Sequence, residues 1–245
     1  MGQLDLESTP VDLDELTNRE GDLGDGRKVY IETYGCQMNV ADSELMAGVL
    51  IGRGYELAPN AEDADVILVN TCAVREKAEE RVVGRMATLN GLKKTKKHLK
   101  LGMTGCMAEH LREKIGERAP FVDMVVGPDA YRRLPELIAQ TGGPEPVVVG
   151  RSGKHILESV PGNPLIDVKL DKGETYEGLD PVRQGGVGTW VTIQRGCDKF
   201  CTFCIVPFTR GRERGVAPRE ILRQCRQAAT HGYKEVTLLG QTVNS

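Results

Sequence analysis

Short apolar runs alternate with helical stretches along most of this chain, and that alternation leaves few folds open. Residues 29–34 read as a strand and 42–52 as a helix; 66–69, Val-Ile-Leu-Val, form an apolar run of the kind buried on both faces. A helix over 76–89 follows, then a strand at 99–103, a helix at 109–117, a strand at 122–126 and a helix at 130–140. Strands separated by helices of this length build parallel βαβ units, so residues 27–150 are expected to form a three-layer α/β domain. Residues 151–187, with Pro161, Pro164, Pro181 and many glycines, read as an irregular interdomain connection. A second unit opens with a strand at 189–194 and continues with a helix at 219–231 and a strand at 235–239. One βαβ unit leaves both faces of its sheet open, so this second domain is expected to be cut short.

Charge and cysteine usage narrow the class. Residues 1–26 carry eight acids and one base, while the whole chain sums to −3, so residues 27–245 sum to +4. The acidic stretch lacks periodicity and reads as a disordered leader. Its Gly21–Lys28 tract only imitates a phosphate loop, because Arg27 and Lys28 fill the Lys and Ser/Thr slots and no strand precedes it. No apolar run approaches the roughly 18 residues a spanning helix needs, and nothing at the N-terminus reads as a secretory signal. A cytoplasmic protein is expected, with its seven cysteines serving something other than a disulfide framework.

Cys197, Cys201 and Cys204 form a C-x3-C-x2-C run directly after a strand. Three thiols within eight residues cannot all be core packing; the candidates are zinc and an iron–sulfur cluster. Structural zinc asks for four ligands, and no nearby Cys or His completes that set. Cys225 falls at helical spacing with Ile221, Leu222, Ala228 and Ala229 and is expected to face a core. Three ligands on a four-iron cubane leave one iron open to a small molecule, which suits a catalytic cluster better than an electron carrier.

The tract from Arg195 to Phe208, with Phe203 in the aromatic slot of C-x3-C-x-aromatic-C, resembles the signature loop of radical S-adenosylmethionine enzymes. That resemblance implies an open iron that chelates the methionine moiety of S-adenosylmethionine, with Phe203 near the adenine. Cys36, Cys72 and Cys106 each sit between a strand and a helix, as Tyr34-Gly35-Cys36, Asn70-Thr71-Cys72 and Thr104-Gly105-Cys106. In a parallel sheet such loops share the carboxyl edge, where three thiolates could converge on one cluster near helix N-termini. These motifs, the Phe208–Arg214 tract (Phe-Thr-Arg-Gly-Arg-Glu-Arg) and the closing Leu238–Ser245 run resemble the methylthiotransferase family, with Gly215 where serine is expected.

The resemblance implies the start of a radical S-adenosylmethionine (β/α) partial barrel over 188–245, following the α/β domain. It also implies two [4Fe-4S] clusters: an auxiliary one on Cys36, Cys72 and Cys106 that holds or supplies sulfur, and a second on Cys197, Cys201 and Cys204. The latter would cleave S-adenosylmethionine reductively to a radical that abstracts hydrogen. Among the family's branches, the one adding a 2-methylthio group to isopentenylated adenosine beside the tRNA anticodon matches best. The partners implied are tRNA, S-adenosylmethionine and an unidentified electron donor. The same chemistry on a ribosomal protein or on threonylcarbamoyladenosine in tRNA, and a non-enzymatic iron–sulfur electron-transfer module, are the other readings. Six arginines between Ile205 and Arg226 face two glutamates. Of these, Arg210 and Arg212 are candidates for cofactor-carboxylate or RNA contact. Lys93, Lys94, Lys96, Lys97 and Lys100 read as an exposed helix end.

Overall fold

The computed structural model describes residues 2–3, 22–73, 76–141, 148–149, 164–183 and 185–243. Its first unit is built on one sheet. The strands are β1 (Gly2–Gln3), β2 (Lys28–Tyr34), β3 (Glu56–Leu57), β4 (Val66–Thr71), β5 (Lys100–Gly105), β6 (Met124–Val126), β7 (Val148–Val149) and β8 (Leu165–Asp167). Their order is β1-β2-β4-β5-β6-β8-β7, with β3 also on β2. Every pairing is parallel except the antiparallel β1–β2 edge.

Burial on both faces follows from the strand sequences. Val29, Ile31, Val66 and Leu68 pack with Leu45, Met46 and Leu50 of the helix Gln37–Ile51 and with Leu134 and Ile138 of the helix Leu134–Gln140. Their neighbours Tyr30, Ile67 and Val69, with Leu101 and Met103, pack on the other face with Val82, Met86 and Leu89 of the helix Glu76–Asn90. Alternate residues of one strand thus feed opposite cores, each buried Leu, Ile or Val contributing about 1.5–3 kcal/mol. The three-layer α/β architecture expected for this region is what forms.

Several boundaries differ from the sequence reading. The first helix begins at Gln37, five residues before the expected start. Met38, Asn39, Asp42, Ser43 and Glu44 are all buried there, so its polar residues do not mark a solvent face. The expected 109–117 helix begins instead at Cys106 and breaks at Arg112, whose φ is +48°, into Cys106–Leu111, a 3-10 turn and Ile115–Arg118. The stretch over 130–140 is a 3-10 turn, Tyr131–Arg133, followed by Leu134–Gln140.

The expected irregular connection contains a strand. Leu165–Asp167 pairs in parallel with Met124–Val126 and extends the first sheet; its three residues are too few for periodicity to announce. Residues 151–163 and 184 of that connection lie outside the described residues. In the expected leader, Gly2–Gln3 pairs with β2. Residues 22–26 form a turn in which Leu23 and Gly24 donate backbone bonds to Arg53 O and Gly26 to Gly54 O. The remainder of the leader lies outside the described residues.

The second unit contains β9 (Gly188–Thr192), β10 (Gln194–Arg195), β11 (Arg214–Gly215) and β12 (Glu235–Leu239). β9 and β12 pair in parallel around the helix Pro218–Thr230, and β10 and β11 form an antiparallel ladder. Cys225 is half-buried on that helix; Ala228 is buried, whereas Leu222 and Ala229 are exposed. Among the described residues no helix is long and apolar enough to cross a membrane.

Candidate functional site

The register of the first sheet places its three cysteines side by side. Tyr34 is level with Thr71, and Thr71 with Gly105. Cys36, Cys72 and Cys106 follow these residues by two, one and one positions, at the carboxyl ends of three adjacent strands.

Close approach of the three loops explains the glycines before two of them. A Cβ on Gly35 (φ +149°) would stand 2.3 Å from Asn39 Oδ1 and 3.0 Å from Cys72 Cβ. One on Gly105 (φ +90°) would stand 2.4 Å from Asn70 Oδ1 and 2.5 Å from Thr71 O. A buried polar network ties the loops together. Asn39 Oδ1 accepts from Cys36 N (3.3 Å), while Asn39 Nδ2 donates to Thr71 O (3.3 Å). Asn70 Nδ2 donates to Asn39 O (2.7 Å) and Ser43 Oγ (2.8 Å), and Ser43 Oγ shares a hydrogen with Thr33 Oγ1 (2.7 Å).

The three thiols are graded in exposure: Cys36 is exposed, Cys72 half-buried and Cys106 buried at 7% exposure. Cys36 caps the helix Gln37–Ile51 and Cys106 opens the helix Cys106–Leu111. Burial pushes the Cys106 thiol above its ordinary range, and the nearby Arg210 opposes that shift.

The second trio lies in the loop after β10. Gly196 (φ +74°) lets that loop press on its neighbour, since a Cβ there would fall 2.1 Å from Arg212 O. Cys197 N donates to Gly211 O (3.2 Å) and Cys204 N to Cys201 O (2.9 Å). Cys197 Sγ lies 2.8 Å from Thr242 Oγ1. Cys197 is buried, Cys204 half-buried and Cys201 exposed. Phe203 is 95% exposed on the open side of the loop.

Arg212 is exposed and pairs with Asp198 (2.6 Å), its guanidinium 5.5 Å from the Phe200 ring centroid. Hydrogen bonding to Arg212 holds the Asp198 carboxyl below its ordinary range. Arg212 therefore braces the cysteine loop.

Arg210, the other candidate for cofactor-carboxylate or RNA contact, is spent on a protein carboxylate. It is 4% exposed and points into the first unit, where its NH2 nitrogen meets Asp42 Oδ2 at 2.8 Å and its Nε meets Cys106 Sγ at 3.1 Å. Arg195 NH1 lies 2.9 Å from the other oxygen of the fully buried Asp42, with its guanidinium 4.7 Å from the Tyr176 ring centroid. Arg214 pairs with Asp129 at 2.8 and 3.0 Å. Burial works against the charge on Arg195 and Arg210, but Asp42 outweighs it and raises both above their ordinary range.

Asp42 is thus a site residue that sequence reasoning passed over. In the sequence it is one polar residue among Gln37, Asn39, Ser43 and Glu44 of the same helix, with nothing to set it apart.

Among the described residues no three His, Cys, Asp or Glu side chains are gathered closely enough to hold a single metal ion. A cubane makes a different demand, because each thiolate binds its own iron and the sulfurs stand farther apart. The first trio fits such a group on charge as well. Beside it the buried Arg210 shares Asp42 with Arg195, sets its Nε 3.1 Å from Cys106 Sγ and has no hydrogen-bond partner for NH1. A buried guanidinium so placed favours an anion beside it. The second trio fits by donor type, three thiols on one loop with one open side.

Two family models match the chain: "Uncharacterized protein family UPF0004" over residues 28–127 and "Radical SAM superfamily" over 191–245. Three curated relatives carry the name tRNA-2-methylthio-N(6)-dimethylallyladenosine synthase. The protein from Bacillus velezensis is 46% identical over 225 residues, covering 91% of this chain and 41% of that protein. That from Bacillus pumilus is 44% identical, covering 100% and 44%. That from Christiangramia forsetii is 47% identical, covering 89% and 42%. The chain therefore spans a little under half the length of these relatives.

Among solved structures, the radical S-adenosylmethionine methyltransferase TsrM from Kitasatospora setae, with tryptophan and a S-adenosylmethionine analogue bound, shares the fold. Its TM-score is 0.57 at 11% identity, over 88% of this chain and 48% of that one. Asn244 and Ser245, which close the Leu238–Ser245 run noted above, lie outside the described residues.

Proposed function

The chain belongs to the methylthiotransferase family of radical S-adenosylmethionine enzymes, and on that premise we propose that it is part of an enzyme adding a 2-methylthio group to isopentenylated adenosine beside the anticodon of tRNA. Iron–sulfur and S-adenosylmethionine chemistry come with the family; that there are two clusters is part of the proposal. Cys197, Cys201 and Cys204 would hold one four-iron cluster and Cys36, Cys72 and Cys106 the other, each with one iron lacking a protein ligand. With the clusters bound, the second trio's group would supply one-electron cleavage of the S-adenosylmethionine sulfonium and the first trio's group would hold or supply the sulfur. Acid–base side chains alone could not functionalise an aromatic C–H at neutral pH.

The chain's own residues place these groups. Gly35, Gly105 and Asn39 draw the first three loops together, and Arg212 braces the second cysteine loop through Asp198. Phe203 offers a bare ring for the adenine of S-adenosylmethionine. The proposal includes a cytoplasmic location, in keeping with a tRNA substrate, and an electron donor of unidentified class. The observation that carries the reading is the common level of Tyr34, Thr71 and Gly105, which puts three thiols at neighbouring strand ends.

Anaerobic reconstitution with iron and sulfide counting tests it. The triple variant with Cys197, Cys201 and Cys204 replaced by Ala should lose half the iron; unchanged iron, or zinc in its place, overturns the two-cluster reading. The full-length protein carrying this sequence, given isopentenylated tRNA, S-adenosylmethionine and dithionite, should yield the 2-methylthio nucleoside by mass spectrometry. Product on threonylcarbamoyladenosine or on a ribosomal protein would overturn the substrate assignment.

A further inference from the structure

Arg210 belongs by sequence to the second unit, yet its side chain is spent on the first. The segment carrying it also closes over the second trio, since Gly211 O accepts from Cys197 N at 3.2 Å. From there the guanidinium crosses to Asp42 (2.8 Å) and Cys106 Sγ (3.1 Å) with 4% exposure. Asp42 is already matched by Arg195 at 2.9 Å. With Arg195 and Arg210 both on Asp42, NH1 of the buried Arg210 is left without a hydrogen-bond partner, and its Nε points at a sulfur. A neutral thiol is a weak acceptor for a buried guanidinium; a thiolate bound to an iron–sulfur group is a charged one. Such a group becomes more negative when it takes up an electron, and hydrogen bonds to its sulfurs favour that reduced state.

We propose, resting on the reading of Cys36, Cys72 and Cys106 as cluster ligands, that Arg210 is a positioning residue of that trio: anchored by Asp42, it donates through Nε to the Cys106 sulfur and so raises the reduction potential of the first unit's cluster. One electron from the reductant enters the cluster and no proton moves. The second unit thereby sets an electronic property of the first, and the contact ends if the segment is withdrawn.

The test uses the chain with Cys197, Cys201 and Cys204 replaced by Ala, so that only the first trio can carry iron, and follows reduction by electron paramagnetic resonance in a mediated dithionite titration. Arg210→Met removes the donor and leaves Asp42 paired with Arg195. At the parent's midpoint potential its reduced-to-oxidised ratio should fall about tenfold, a shift of about 59 mV to lower potential for a one-electron couple. Arg210→Lys, which keeps the charge but not the planar fork, should shift less. An unchanged potential with full iron content overturns the role of Arg210 and leaves the cluster reading standing. A parent that takes up no iron overturns the cluster reading itself, and the role of Arg210 with it.

A measurement that needs no substitution at Arg210 decides the matter if Arg210→Met fails to load. With 15N-arginine incorporated, pulsed spectra of the reduced parent should show coupling to one arginine nitrogen and one exchangeable proton. Their absence overturns the proposal.

Discussion

Replacing Gly105 by Ala should disable the first cysteine site through backbone geometry alone. Gly105 ends β5 with φ +90° and ψ −162°, a region that residues with a Cβ scarcely enter, and forcing one there costs about 1–3 kcal/mol. A methyl would also meet Thr71 O at 2.5 Å and Thr71 N at 2.9 Å. These atoms belong to the neighbouring strand and cannot swing aside, so overpacking adds about 1–3 kcal/mol. The sum is about 2–6 kcal/mol.

Gly26→Ala is the control, since Gly26 has φ +68° but nothing within 4 Å of an added Cβ. It should cost only the conformational share, about 1–2 kcal/mol. With a urea slope of about 2 kcal/mol per M, a gap of about 2 kcal/mol separates the two midpoints by about 1 M. Urea unfolding of the iron-free chain under reducing conditions reads that gap, and iron counting after reconstitution should show loss at the first trio for Gly105→Ala alone. Coincident midpoints would refute the steric half of the reasoning.

Two further substitutions probe the charges. Asp42→Ala strands Arg195 and Arg210 in the interior, so unfolding should become easier by about 3–5 kcal/mol; a loss under about 1 kcal/mol would mean that water reaches the pair. Asp65 is half-buried, which alone would raise its carboxyl, but bonds from Lys28 N (2.8 Å) and His98 Nε2 (2.9 Å) prevail and hold it below the ordinary range. Asp65→Asn should therefore cost about 1 kcal/mol at neutral pH. For a lowered carboxyl the contribution is present above its ordinary range and vanishes as pH falls through the folded value. Denaturation curves at several pH values should converge in acid; a gap that widens there would contradict the assignment.

The central strands were legible because apolar residues on both faces leave an unmistakable run, as in Val66 to Val69. The placement of Cys36, Cys72 and Cys106 at one sheet edge was legible for a related reason: strand ends in a parallel sheet lie side by side, so residues 36 and 34 positions apart can be neighbours. What stayed hidden is whatever depends on a partner far along the chain. Asp42 reads as one polar residue among several in a helix until Arg195 and Arg210 are laid against it. The early start of that helix was masked likewise, since burying Asn39 and Ser43 pays off only once Asn70 and Thr33 bond to them. Leu165–Asp167 was lost because a three-residue strand behind Pro164 has no period to read. Arg210 and Arg212, two residues apart, looked equivalent; the burial of one and exposure of the other is a property of the tertiary fold.

The helix Gln37–Ile51 has no free side. One flank lies on the sheet; on the other, Glu44 O accepts from Val182 N at 2.9 Å, and a Cβ on Gly48 would strike Asp180 O at 1.9 Å. Its Met38 sulfur accepts from the Thr192 hydroxyl at 3.7 Å, and its Asp42 takes both arginines. An element serving as a common wall leaves the two halves little freedom to swivel. The spacing between the two sets of cysteines is thus set by packing along this one helix.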